Sequence, residues 1–373
     1  MPREANAVDF WRGIALITIF INHVPGMYYA RFTHANYSFS DSADLFVFLA
    51  GWSLRIMVGS PSATRPPRPP WYLVLRLGGR AVELYAAQIL ITMIAIAMLA
   101  ATATLLDNPL LLEWHNAAAV FYDPILTHIG LATLTHHLGY FDILPLYVVL
   151  MAMAPIFAII DRYAPHWVLP ISIAIYLAAL IVPLPVPTWP VDGQWFFNPL
   201  AWQLVFVLGF VMAREDGVGG FVRRHIVPLR WLSVPIVAVS AYIVWNRIWP
   251  DPTLMPHPRL LFIADKTYVT PMRLIQFLAL MALFSGTYPY IRRWALRFVQ
   301  YGSMLGRNSL IVFCVGSILS LAGQIARFVY RGDIVMDTVV VVLGIVIMSF
   351  CAWLPEWREQ VRSRGSAQPS PAS

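Results

Sequence analysis

Apolar runs of about 17 to 25 residues, long enough to cross a bilayer as helices, recur along the whole chain and are separated by short arginine-bearing segments. They fall at roughly 10–30, 43–59, 81–106, 141–160, 166–184, 199–213, 229–248, 272–287, 304–326 and 335–354. Nothing between them is both polar enough and long enough to fold separately in water. A backbone in lipid must satisfy its own hydrogen bonds, which helices do within one segment. The pattern therefore predicts an all-α, polytopic integral membrane protein with about ten transmembrane helices. The stretch 114–135 carries His115, Asp123 and His128 and reads as interfacial or re-entrant rather than as a full span.

The charge distribution sets the expected orientation. The chain is 59% apolar and only 12% charged, about half the charged fraction of a soluble domain. Its net charge of +7 comes almost wholly from arginine, Lys266 being the only lysine. Cytoplasmic loops carry an excess of basic residues. With the N-terminus inside, 18 of the 26 basic residues fall on inner segments, seven on outer ones, and Arg55 lies within the second span. Both termini are thus expected in the cytoplasm. Arginines placed this way are topology signals, and nucleic-acid binding is excluded on that ground. Cys314 and Cys351 lie in apolar runs without metal-ligand spacing, so neither a metal site nor a disulfide framework is expected. The first run lacks a small-residue cleavage site and reads as a retained anchor. The Pro-rich stretch 59–70 reads as a connector, and 356–373 as a polar, disordered cytoplasmic tail. The outer loops 107–140 and 185–198 are rich in aromatic and polar groups. They suit either an interfacial aromatic belt or a surface that holds a sugar.

The first run holds the most informative constellation. Ionisable residues within a span suggest function by default. Arg12 and His23 are 11 residues apart, about three helical turns, so they share a face and lie roughly 16 Å apart. Asp9, three residues before Arg12, can pair with it on that face. The second run reverses the order, with Asp44 at its outer start and Arg55 toward its inner end. If the two helices are neighbours, Asp41 or Asp44 lies at the depth of His23, where a carboxylate would orient the imidazole and raise its basicity. Both acids equally suit an N-cap. Arg76 and Arg80, at i and i+4, make a basic face suited to phosphate. Such a chain could take a donor with a charged nucleotide, a long arm and a reactive tip, as coenzyme A thioesters have. His23 would then deprotonate an acceptor hydroxyl.

The segments "DFWRGIALITIFINHVPG" and "FTHANYSFSDSADLFVFLAGW" resemble the OpgC family, within the wider acyltransferase-three group of membrane proteins. "FDILPLYVVL", "NPLAWQLVFVLGF", "DKTYVTPMRLIQFLAL" and "LGRNSLIVFCVGSILSLAG" are similar as well, so the resemblance runs from residue 5 to about 355. It implies a ten-helix enzyme of the bacterial inner membrane, with 1–355 as the acyltransferase domain. Such an enzyme moves an acyl group, in OpgC a succinyl group, from a cytoplasmic acyl-CoA co-substrate to a periplasmic glucan. The group's functional arginine and histidine would be Arg12 and His23. His34, Asn36, Asp41 and Asp44 fall on the pattern TH-x-N…SD-x-x-E, with Asp44 in place of Glu. Gln276 stands where "RLLHFLAL" would have a histidine.

The expected roles follow. His23 is the base, oriented by Asp41 or Asp44. Arg12, Arg76, Arg80 and Arg55 contact the donor. Lys266 and Arg273 hold the acyl carboxylate or an oxyanion, unless they only snorkel to the interface. His34, Asn36 and Asn198 contact the acceptor. Partners are the glucan, the coenzyme A thioester and the bilayer; no bound cofactor is expected, and the oligomeric state stays open. A glycan or lipid transporter would use the same charges as a pathway, and a sugar N-acetyltransferase would share the donor site. The orientation can be tested with a phosphatase that folds only outside the cytoplasm. Fused within 107–140 it should be active, and fused within 59–70 inactive; the reverse result would invert the topology.

Overall fold

The computed structural model describes residues 4–59 and 69–365. Arg3, Arg65, Arg68, most of the Pro-rich connector and the tail beyond 365 lie outside these residues. The first helices are α1 (Ala7–Asn22), α2 (Ser42–Val58), α3 (Pro70–Leu105), α4 (Ala118–Tyr122) and α5 (Pro124–Ala132). Next come α6 (Ile143–Tyr163), α7 (Val168–Ile181), α8 (Pro199–Met212), α9 (Gly217–Arg224) and α10 (Ile226–Trp245). The chain ends with α11 (Pro271–Phe284), α12 (Tyr288–Trp294), α13 (Leu296–Arg307), α14 (Ser309–Tyr330) and α15 (Ile334–Gly365). Among the described residues no strand forms beyond an isolated bridge between Pro187 and Gln194. The protein is all-helical, as the apolar runs predict.

Among the described residues five helices, α3, α6, α10, α14 and α15, are long and apolar enough to cross a membrane, and a sixth follows if α11 and α12 make one bent span. Several predicted spans fold into shorter helices. The run 10–30 gives a helix of 16 residues that stops at Asn22, because the chain turns through His23 and Gly26 (φ 73°). The run 304–326 is split by Asn308 into α13 and α14. Conversely, α3 begins at Pro70 rather than 81, and its 36 residues span about 54 Å, more than a bilayer core. The last helix runs to Gly365, ten residues into the tail expected to be disordered. The segment 114–135 forms short helices, none of spanning length.

The chain divides into two compact units, 1–31 with 287–373, and 32–286. In the larger, α8 is the central element. Asn198 caps it and Pro199 takes its first position, the place where a missing N–H costs nothing. Trp202, Val205, Phe206, Val207 and Phe210 along it are wholly buried. Helix α2 crosses α8 at backbone contact. A Cβ on Gly51 would lie 1.8 Å from the Phe206 carbonyl oxygen, and one on Gly209 would lie 1.9 Å from that of Phe48. Small residues permit such approach where lipid supplies no hydrophobic drive between helices. By contrast α10 buries only Ser233 and Ser240 and leaves Trp231, Leu232, Val239 and Tyr242 exposed, an apolar face suited to lipid.

The smaller unit packs α1 on α13 in the same manner. A Cβ on Gly13 would meet the Gly302 carbonyl oxygen at 2.0 Å, and one on Gly306 would meet that of Asp9 at 1.8 Å. Helix α14 closes over the end of α1, where Ser320 Oγ donates to the Phe20 carbonyl at 3.1 Å. Arg327 pairs with Asp337 across α14 and α15.

Gly51→Ala should lower the melting temperature of the detergent-solubilised protein, since overpacking costs about 1–3 kcal/mol and here the obstacle is backbone. Gly79→Ala, where nothing lies within 4 Å, is the control. Equal melting of both variants would refute the close crossing.

Candidate active site

The residues singled out in the sequence fall into two sets, one in each unit. In the smaller unit α1 carries the first. Asn6 caps the helix, its side chain accepting from the Asp9 N–H at 2.9 Å. One turn on, Arg12 Nη1 lies 3.7 Å from Asp9 Oδ1, the pairing that the i, i+3 spacing predicts. Arg12 is partly covered, its side chain 12% exposed. His23 stands one residue past the helix as its C-cap, half-buried. Its carbonyl accepts from Gln324 Nε2 of α14 at 2.6 Å. Arg12 thus sits in the first half of the helix and His23 at its C-terminal cap, and glycine contacts with α13 hold that helix.

In the larger unit, Asp41 and Asp44 meet Lys266 and Arg273. Asp41 is the N-cap of α2, and with Asp44 it completes a reciprocal capping box. The Asp41 side chain accepts from the Ala43 N–H, and Asp44 Oδ2 accepts from the Asp41 N–H, both at 2.8 Å. Asp44 is fully buried and is gripped in fork geometry by Arg273, whose Nε donates to Oδ1 at 3.1 Å and Nη2 to Oδ2 at 2.5 Å. Arg273 Nη1 also donates to the Phe39 carbonyl. Lys266 Nζ lies 2.6 Å from Asp41 Oδ2 and above the rings of Phe196 and Phe197. Burial alone would raise the Asp41 carboxyl, but Lys266 and Arg273 hold it well below the usual range.

The oxygens of Asp44 are taken by Arg273 and a backbone N–H, and Asp41 is bound to Lys266, Arg273 and the cap of α2. Two acids three residues apart at a helix start cap it and pair with cations. Arg273 is correspondingly saturated, which leaves Lys266, its side chain 30% exposed, as the accessible cation.

Other expected contacts are also committed elsewhere. Arg55 pairs with Asp161 of α6, which Arg214 engages on its second oxygen at 2.8 Å while also holding Asp216. Buried in that network, Arg55 leaves the donor set. Asn198 accepts from the Leu200 N–H and donates to the Leu184 carbonyl. It is 1% exposed, so it is a helix cap rather than an acceptor contact. Arg76 and Arg80 lie at the exposed start of α3, with Arg80 Nη1 2.6 Å from Glu83. His34 and Asn36 form a short 3-10 turn that leads into Ser38 and Ser40. Ser38 Oγ and the Ser40 N–H both donate to Gln276 Oε1, at 3.0 and 3.1 Å.

The sequence alone does not single out Asp142 or Tyr268, although it marks the neighbouring loops 107–140 and 185–198 as a candidate sugar surface. Asp142 directly precedes an apolar run, where an acid reads as a cap, so no signal separated it from one. The 107–140 loop is pinned by His137 Nε2 on the Leu134 carbonyl at 2.8 Å and by an edge-on contact with Trp195, centroids 4.4 Å apart. Burial pushes the His137 ring down to about 4, so it stays neutral. Tyr268 belongs to the turn that carries Lys266, and its hydroxyl donates to Gln194 Oε1 at 3.2 Å. Beside it opens a cleft of about 570 Å³, lined among others by Gln194, His257, Arg259 and Tyr268, within the size range of small-molecule sites.

A family model described as OpgC protein matches residues 3–360. A comparison with curated proteins returned no match.

Replacing Arg273 by Met leaves the buried Asp44 carboxylate without its cation. Breaking such a pair typically costs about 3–5 kcal/mol, so thermal unfolding should fall clearly. The double variant Arg273→Met/Asp44→Leu should recover part of the loss. A single variant as stable as the wild type would disprove the role of the cluster.

Proposed function

The chain belongs to the OpgC family, and from that premise we propose that it is an O-acyltransferase of the bacterial inner membrane. It moves an acyl group, in this reading succinyl, from a cytoplasmic coenzyme A thioester to a hydroxyl of a periplasmic glucan. About ten membrane crossings with both termini in the cytoplasm belong to the same reading. The observation that supports it most is the placement of Arg12 within α1 and of His23 at its C-cap. A helix of 11 residues between them covers roughly 16 Å, the reach of an extended pantetheine arm.

In this mechanism Arg12, Arg76 and Arg80 contact the donor's phosphates, for which guanidinium has matching geometry and a permanent charge. The His23 ring takes the proton of the acceptor hydroxyl as its oxygen attacks the thioester carbonyl. The C–O bond forms and the C–S bond breaks. The departing thiolate then receives the proton from the imidazolium, giving the ester and free coenzyme A. Lys266, accessible beside Asp41, binds the carboxylate of a succinyl group, while Asp41, Asp44 and Arg273 fix its position. The cleft beside Tyr268 is a surface for the glucan.

Mass spectrometry of periplasmic glycans from cells with and without the protein is the direct test. Acyl esters that disappear with the protein support the reading. Unmodified glycans with altered export would favour a transporter, and amide-linked acyl groups an N-acyltransferase. His23→Ala should lower transfer by about 100- to 10,000-fold, the usual range for loss of a general base, in protein that still inserts. Arg12→Gln should weaken coenzyme A binding in calorimetry. Full activity of His23→Ala would end the mechanism.

A further inference from the structure

Around the Asp41–Lys266–Arg273 cluster stand three polar groups that it does not satisfy. Asp142 is the N-cap residue of α6, one position before the helix that could cross the membrane begins at Ile143, yet its side chain makes no cap bond. Beyond its own backbone N–H, its carboxylate has no hydrogen-bond partner among the described residues, and the charge that acts on it is the Lys266 ammonium. Trp195 is 6% exposed and its Nε1–H has no partner among those residues. Its ring abuts His137, five residues before Asp142, and the next two residues, Phe196 and Phe197, lie under Lys266. Gln276 is 1% exposed and follows Arg273 by one turn. Its Oε1 is engaged by Ser38 and Ser40, while its Nε2 has no partner.

Buried polar atoms in folded proteins nearly always find a partner in protein, water or ligand. Here the set is one ionised acceptor, two neutral donors and neighbouring aromatic rings. A hydroxyl is the group that can donate to the carboxylate and accept from an N–H. A phosphate or carboxylate set directly against the Asp142 carboxylate would be repelled by it, whereas a hydroxyl would not. We propose that Asp142, Trp195 and Gln276 form a binding site for the hydroxyls of a neutral sugar chain. Its choice of a sugar rests on the reading as a glucan acyltransferase, but binding can be measured with no donor present.

The pH dependence follows from which form binds. Burial raises the Asp142 carboxyl to about 6, against the pull of Lys266. The ionised form accepts hydrogen bonds from sugar hydroxyls, so binding is complete above that value and is lost as pH falls through it. Of the other groups around it, Tyr140 is raised by burial and by Asp142 and stays protonated. Asp41 is held low and stays ionised, and His137 stays neutral down to about pH 4.

The test is calorimetric titration of the full chain in detergent with a neutral β-glucan oligosaccharide, without coenzyme A. The wild type should bind, and its affinity should fall about tenfold from pH 7 to pH 5, following protonation of one group. Asp142→Ala and Trp195→Phe should each weaken binding at least about tenfold at pH 7, with the pH dependence absent in Asp142→Ala. Coenzyme A binding should be unchanged in both. Trp195→Phe removes the N–H with part of the ring but keeps an aromatic surface, so it gives a second readout if Asp142→Ala fails to fold. Wild-type affinity in both variants, or no binding by the wild type, would overturn the site. Glucan binding without acyl transfer would instead overturn the catalytic reading and leave the site standing.

Discussion

Asp44 is wholly buried among apolar helices, and Arg273 is the reason it can be. A carboxylate removed from water is costly unless a cation and hydrogen bonds replace its hydration. That demand joins the start of α2 to the start of α11 and brings the Phe39 carbonyl onto the same guanidinium. Most of the larger unit's functional surface is placed as a consequence. The turn before α11 carries Lys266 to Asp41, and one turn into the helix Gln276 reaches Ser38 and Ser40. Trp202 donates to the Lys266 carbonyl at 3.0 Å, so the central helix α8 also buttresses that turn.

The smaller unit has a different organising constraint, the direct backbone contact of α1 with α13 through Gly13, Gly302 and Gly306. Side chains at these positions would push the helices apart. With them absent, α1 is held along most of its length, and Arg12 and His23 keep a fixed separation. Within the smaller unit α1 thus carries Arg12 and His23 on a fixed frame, and within the larger unit a cation and its carboxylates are fixed at the start of α2 and α11. A positive charge left accessible beside a saturated arginine is a sensible arrangement for an anionic acyl group, since Arg273 supplies structure and Lys266 remains able to exchange partners.

Much of this was legible in the residues. Apolar runs imply helices because lipid offers the backbone no other partner, and all-helical structure followed. The Asp9–Arg12 pair followed from i, i+3 spacing. The similarity of "DFWRGIALITIFINHVPG" and later segments pointed to the family that the match over residues 3–360 shows. The number of long spans was less legible. Hydropathy records composition, whereas helix length depends on turns such as the one at Gly26 and on breaks such as Asn308. The sequence offers the 185–198 loop that carries Trp195 as a sugar surface but gives no sign of Asp142, because a group left without a partner is a property of three-dimensional surroundings.

Sequence by itself determined the class of structure, the capping role open to Asp41 and Asp44, and the spacing of Arg12 from His23, because each depends on local periodicity or on residue type. Tertiary structure alone decided which charges are consumed. Arg55 went to Asp161, Asp44 to Arg273, and Asn198 to the cap of α8, while Lys266 stayed accessible. Those assignments join residues up to 229 positions apart, and in a low-dielectric interior the partner that satisfies a charge is set by which helices pack together.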